Sequence, residues 1–352
     1  MCKFEQLSEE RTKIVERFSI AKYDEVFKDI DAAIDESIRI SFKAFNFRTL
    51  KKEDEKYTEL DKSDIIGSLV DKLNDFKGQL ASYFNNEFVS EEEFDEKHHN
   101  LCEIFIEAIE PYYEELAYGK AQKIVNLTFK HLYCMKFNND QVLSEEYFQH
   151  CHMILDSFTL EWFYREVADK WWNKNKSNQH NKISKGKIDA WSNLKHATGN
   201  EYYSYPELIS KIRTFFKENK DYIKKQSYKN CTPFQAEFFI WPEIQLHLTA
   251  EALFSQSIGQ EEMIEAINKI KEEHSRSTID KLNKDKEGKK RTKRIDNEIN
   301  KLSAVVTDMA EAKAIYQKLS LEEKLKILKV KIDILVKYSN SCVIMENYYA
   351  HS

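Results

Sequence analysis

Residues 119–137 read GKAQKIVNLTFKHLYCMKF and residues 150–163, past a polar turn, read HCHMILDSFTLEWF. In the first stretch Ile124, Leu127 and the run from Phe129 to Leu132 fall where a helix turns one side to a core, while Lys123 and Lys130, a heptad apart, share another side. In the second, Asp156 follows Met153-Ile154-Leu155 and precedes Ser157-Phe158-Thr159, the place of a helix N-cap. Seven glycines and four prolines in 352 residues leave few points at which a helix must break or a β-turn form. The pattern predicts an all-α, multi-helical fold.

Working outward, residues 1–90 read as an N-terminal helical bundle. Phe27, Ile30, Ala33, Ile34 and Ile38 repeat at helical spacing, a charged connector covers 47–64, and Ile65, Ile66, Leu69, Val70, Leu73 and Phe76 form the next apolar face. Residues 91–258 form a central aromatic-rich helical domain that opens at Ser90-Glu-Glu-Glu-Phe. Its expected helices are 91–116 with a kink near Pro111, 119–136, 144–151, 157–172, 205–226 and 234–257; the polar run 173–187 is a loop or basic arm. Residues 259–352 turn to Glu, Lys, Ile and Leu at near-heptad spacing, which predicts a long helical hairpin or coiled-coil arm reversing at Gly288.

With 41% hydrophobic and 32% charged residues the chain is globular, not disordered. It has no apolar run of about 18 residues and no secretory pattern at MCKFEQLSEERTK, so no membrane association and a cytoplasmic location are expected. Six scattered cysteines fit reduced thiols. The net charge of −6 hides a division: residues 91–169 hold 6 Lys/Arg against 17 Asp/Glu, and residues 170–230 hold 14 against 5. Clustered lysines neutralise phosphates and release counterions, so the basic block is a candidate face for DNA or RNA. Pairing between the two blocks gives the same composition. Without GxGxxG, P-loop, HExxH or GxSxG there is no support for a nucleotide cofactor or a common hydrolase elbow, and no cofactor is expected. The Lys, Asn, Ile and Glu usage fits a bacterial or phage source.

Residues 114–165, through GKAQKIVNLTFKHLYC and HMILDSFTLEWF, resemble the core of helix-hairpin-helix DNA glycosylases, archaeal oxidised-guanine type. The resemblance implies that Lys123 is an amine nucleophile and Asp156 the carboxylate that stabilises the sugar as the glycosidic bond breaks. It implies also that the turn at Gly119 and Lys120 holds a phosphate on free backbone amides. The accompanying nucleic-acid-binding set is Lys130, Lys174, Lys176, Lys182, Lys185 and Lys187, with Trp171 and Trp172 to stack on bases. The chain departs from the family in offering one glycine and two acids, Glu114 and Glu115, where two glycines are usual.

Competing readings stand beside these. Asp156 needs no purpose beyond capping, and the aromatics around the basic loop close a mini-core as readily as they stack on bases. His98, His99, Cys102, Cys134, His150, Cys151 and His152 include zinc-ligand types, but CxxC and HxxxH are missing and no metal is assigned. Glu237 and Glu243 lie among aromatics, where a carboxylate needs a partner. The alternative to nucleic-acid binding is a non-enzymatic helical scaffold that oligomerises, or binds a protein partner, through residues 260–340.

Overall fold

The computed structural model describes residues 2–16, 26–42, 62–86, 88–112, 116–175, 182–198, 202–254, 259–288, 293–320, 323–324 and 326–330. The chain forms two compact units, Met1–Ile244 and Gln245–Ser352.

Among the described residues the first unit opens with α1 (Glu9–Val15), α2 (Ile30–Phe42), α3 (Lys62–Val70), α4 (Asn74–Asn85), α5 (Glu91–Ile109) and α6 (Tyr118–Cys134). The start of α5 is written in Ser90 and Glu93. The Ser90 hydroxyl accepts the Glu93 N–H and the Glu93 carboxylate accepts the Ser90 N–H, which satisfies two donors that a helix start leaves bare. Both α2 and α5 pack on α6, and α4 packs on α2 and α5. Residues 1–90 and the central helices therefore share one core, in which Tyr83, Phe84, Phe94 and Phe129 meet edge to face or at a tilt.

A small sheet of strand order β1-β4-β3-β2 joins the chain start to the end of α6. It comprises β1 (Phe4–Gln6), β2 (Val26–Phe27), β3 (Lys136–Phe137) and β4 (Gln141–Leu143); β1 lies antiparallel to β4, with Phe4 opposite Leu143, and β2 parallel to β3. Strands this short carry no readable period. Arg11, fully buried, fastens α1 to this corner by donating to the carbonyls of Tyr133 (2.6 Å) and Leu143 (2.6 Å) while its guanidinium lies 4.1 Å from the Tyr133 ring. The Tyr133 carbonyl belongs to the last turn of α6, where no intrahelical donor remains.

After the sheet come α7 (Ser157–Trp162), α8 (Tyr205–Glu218), α9 (Lys220–Ile223) and α10 (Pro233–Phe254). The helix expected over 157–172 is α-helical only to Trp162; Phe163–Trp172 is a π-helix, a rare form enriched at functional sites.

The second unit contains α11 (Gln260–Gly288), α12 (Lys293–Ser303) and α13 (Met309–Tyr316). Both α12 and α13 pack on α11. Met263, Ile267 and Ile270 of α11 join Val306, Ala312, Tyr316, Leu319, Ile327 and Leu328 in one apolar cluster. A helix ending at Gly288 with the next one packed back on it is a helical pairing of the kind expected for 259–352. The apolar stripe of α11 is shared by several segments of the same unit. No described helix is long and apolar enough to cross a membrane.

Candidate functional site

Every residue of α6 is buried except Lys120 and Lys123, which keep partial exposure. Lys123 and Asp156, thirty-three positions apart in sequence, meet here: Nζ lies 3.5 Å from Asp156 Oδ2. The ammonium also sits 4.6 Å from the centre of the Trp191 ring. Asp156 is 4% exposed and caps α7, as its place in the sequence predicts. Its Oδ1 accepts the N–H groups of Phe158 (3.0 Å) and Thr159 (3.2 Å), and its Oδ2 accepts the indole N–H of Trp241 (2.8 Å). Phe158 packs edge-on against Trp241 at 5.1 Å. The pair is thus bounded by Trp191, Trp241 and Phe158, all partly exposed.

One heptad along α6, Lys130 is buried and donates to Glu237, with the Phe238 ring 4.4 Å away. Lys130 therefore leaves the nucleic-acid-binding set: its charge is spent inside the protein. Burial raises the Glu237 carboxyl above its ordinary value, opposed chiefly by the Lys130 ammonium, and the charges of Asp156 and Lys123 also reach it. Glu237 and Trp241 are one turn apart on α10, so a single helix face supplies the acceptor for Lys130 and the donor for Asp156.

Gly119 is used differently from the phosphate turn expected of it. Its N–H donates to the Leu194 carbonyl at 2.9 Å, and a Cβ here would lie 1.8 Å from the Trp191 carbonyl oxygen. The glycine admits the 191–194 segment onto α6, and its N–H is not free for a phosphate.

The remaining expected binding residues divide. Lys174, Lys182, Lys185 and Lys187 are exposed, Lys185 with a 2.6 Å bond to Glu161, and Lys176 lies outside the described residues. Trp171 is buried against Phe215 at 5.5 Å, so its ring is core and not a stacking surface. Trp172 keeps partial exposure, with Lys211 Nζ 4.1 Å from its ring centre.

A polar chain that runs from the half-exposed Asp95 into the interior flanks the pair. Arg213 holds Asp95 through two 2.8 Å bonds, His152 Nε2 meets Asp95 at 2.7 Å, and the Tyr205 hydroxyl meets His152 Nδ1 at 2.9 Å. Asn126 donates to the Tyr205 hydroxyl and to the Gln122 side-chain Oε1, both at 3.0 Å, and its own oxygen lies 2.9 Å from His98 Nε2. Gln122 then donates to the carbonyls of Gly119 (2.9 Å) and Leu155 (2.8 Å), the latter next to Asp156. Burial opposes ionisation of Asp95, yet the bonds from His152 and Arg213 carry its carboxyl well below the usual range. Burial holds both His98 and His152 below the ordinary imidazole value. Among the described residues no group of three or more His, Cys, Asp or Glu is placed to hold a metal.

Trp241, Asn126, Gln122 and Tyr205 are members of this region that the sequence reading did not place in the site. The i,i+4 spacings of Glu237 with Trp241 and of Gln122 with Asn126 are signals that link participants in advance. No protein-family model, curated protein or solved structure matches the chain.

Two substitutions test this construction. Lys130→Met strands a buried carboxylate and should cost about 3–5 kcal/mol in urea unfolding at pH 7. Because folding raises the Glu237 pKa, the native state there binds protons more readily than the unfolded chain, so the deficit should shrink as pH falls toward about 4.5, the ordinary glutamate range. Adding Glu237→Met should restore most of the loss. Gly119→Ala should cost about 1–3 kcal/mol and move Trp191 off Lys123, seen as a change in Trp191 emission against a Trp191→Phe reference. Gly78→Ala in α4, where a Cβ meets nothing within 4 Å, should instead stabilise slightly.

Proposed function

We propose that the protein binds nucleic acid and excises a base through Lys123 and Asp156. The observation that carries this reading is the 3.5 Å approach of an amine and a carboxylate from distant parts of the chain, with the amine on one of the two side chains by which α6 reaches solvent. Trp191, Trp241 and Phe158 give the pair aromatic neighbours, and exposed Lys174, Lys182 and Lys187 give the adjoining basic segment its charge. In the proposed reaction Lys123 first gives up a proton to solvent; its neutral nitrogen then bonds to the sugar C1′ while the glycosidic bond breaks and its electron pair leaves with the base, which takes up a proton from solvent, and the new C–N nitrogen sheds one of its own. Asp156 stabilises the positive charge that develops on the sugar, and ring opening gives an imine. The proposed setting is the cytoplasm, where the buried thiols of Cys102, Cys134 and Cys151 stay reduced.

One observation favours a second reading. Both Asp156 oxygens already accept hydrogen bonds from the chain, as suits a carboxylate that is only a cap with Lys123 as its counter-ion. The protein is then a non-enzymatic helical scaffold.

The readings part on one comparison. Base excision predicts that borohydride traps a covalent adduct between the wild type and DNA bearing a modified base, that Lys123→Ala forms none, and that non-covalent affinity falls as salt rises. No adduct across a broad panel of modified bases removes the enzymatic reading, and affinity independent of salt removes phosphate binding.

A further inference from the structure

The segment 191–196 crosses the start of α6 and touches each part of the candidate site. Trp191 lies on Lys123, Leu194 accepts the Gly119 N–H, and Lys195 accepts the Tyr205 N–H at 2.9 Å. At its far end the His196 imidazole stacks on that of His99, with ring centres 3.7 Å apart and planes 12° from parallel. We propose that this segment is a lid over the Lys123–Asp156 pair, latched by the His99–His196 stack and released in mild acid. The inference rests on the reading of that pair as reactive, but the latch is a property of the fold.

The physical basis is the charge count on two stacked rings. Facing His196 are His99 and Glu103 from α5 and Tyr118 from the start of α6; Lys195 adjoins it in the chain. The Glu103 carboxylate lies 3.9 Å from His99 Nδ1, and burial pushes the Tyr118 phenol up, so Tyr118 adds no charge. One proton on the stack is accommodated, because an imidazolium rests well on a neutral ring and Glu103 is at hand. A second proton sets two like charges face to face at 3.7 Å in a partly desolvated place.

Burial, and after it the facing His99, holds His196 below the ordinary imidazole value. The closed lid therefore binds fewer protons than the open one. Its stability is fully present above about pH 6.5, the ordinary histidine range, and is lost progressively as pH falls below it. Release at His196 passes to Leu194 and Trp191 along five residues of chain. No helix or strand intervenes, only the short 3-10 turn Trp191–Asn193.

Hydrogen exchange at the Gly119 amide reads the lid directly and requires no substrate. Between pH 7.5 and 5.5, after correction for the chemical exchange rate, wild-type protection at Gly119 should fall severalfold. Protection at Ile124 and Val125, inside α6, should hold. His196→Phe, which keeps a stacking ring and removes the titration, should make Gly119 protection flat with pH. Unchanged wild-type protection, an equal fall in His196→Phe, or a parallel fall at Ile124 and Val125 would each overturn the latch. A pH-released lid on a protein that forms no borohydride adduct sinks only the excision reading, whereas adduct formation beneath a pH-insensitive lid sinks only the latch.

Discussion

A helix must find a partner within the protein for each polar group it buries, and α6 carries Gln122, Asn126, Thr128, Lys130 and His131 into the core. The Asn126 amide illustrates the closure: its two N–H groups go to Tyr205 and Gln122, and its oxygen faces His98. The bonds assign the tautomers in turn. Asp95 takes the Nε2 proton of His152, which leaves Nδ1 to accept from Tyr205. An orphaned buried polar group costs about 1–3 kcal/mol, so sliding α5, α8 or the 150–155 segment by one residue would strand several at once. The network thereby selects a single register where apolar packing alone tolerates many.

Charge in the interior obeys the same rule at higher stakes. Lys130 and Glu237 are each nearly solvent-free, and a lone ion in either place would be expelled or neutralised. Together they fix how α10 lies on α6, and the next turn of α10 then brings Trp241 to Asp156 without further cost. Arg11 does comparable work at the opposite end of α6. Its guanidinium collects the carbonyls of Tyr133 and Leu143, which are the ends of a helix and of a strand, so α1 joins helix to sheet at one point.

These contacts explain what could be read from the sequence. Caps are local, and Ser90, Glu93 and Asp156 announced their helices because donor and acceptor lie within four residues of each other. Lys123 near Asp156 was legible only through the family resemblance. The burial of Lys130 was not legible, since a helix surrounded by protein loses the polar-to-apolar contrast from which a solvent side is inferred. Glu237 pointed the way as a carboxylate among aromatics that required a cation, yet which cation depends on an approach across 107 residues of chain. The sheet escaped for a simpler reason: strands of two or three residues, one of them at the chain start, have no pattern to show.

Gly119 marks the boundary between reading and seeing. A glycine before a lysine helix signals that something comes close to the backbone, and the sequence was right to that extent. What comes close is decided by the rest of the chain, and here it is a carbonyl of the same protein, lying where a methyl group would be. The Gly119 N–H that would have greeted a phosphate already has its acceptor in Leu194. The consequence reaches the site, because the close approach that uses up the glycine is also what lays Trp191 over Lys123. An anion-binding turn and a seat for a crossing segment are alternative uses of one missing side chain, and the 191–194 segment takes the second.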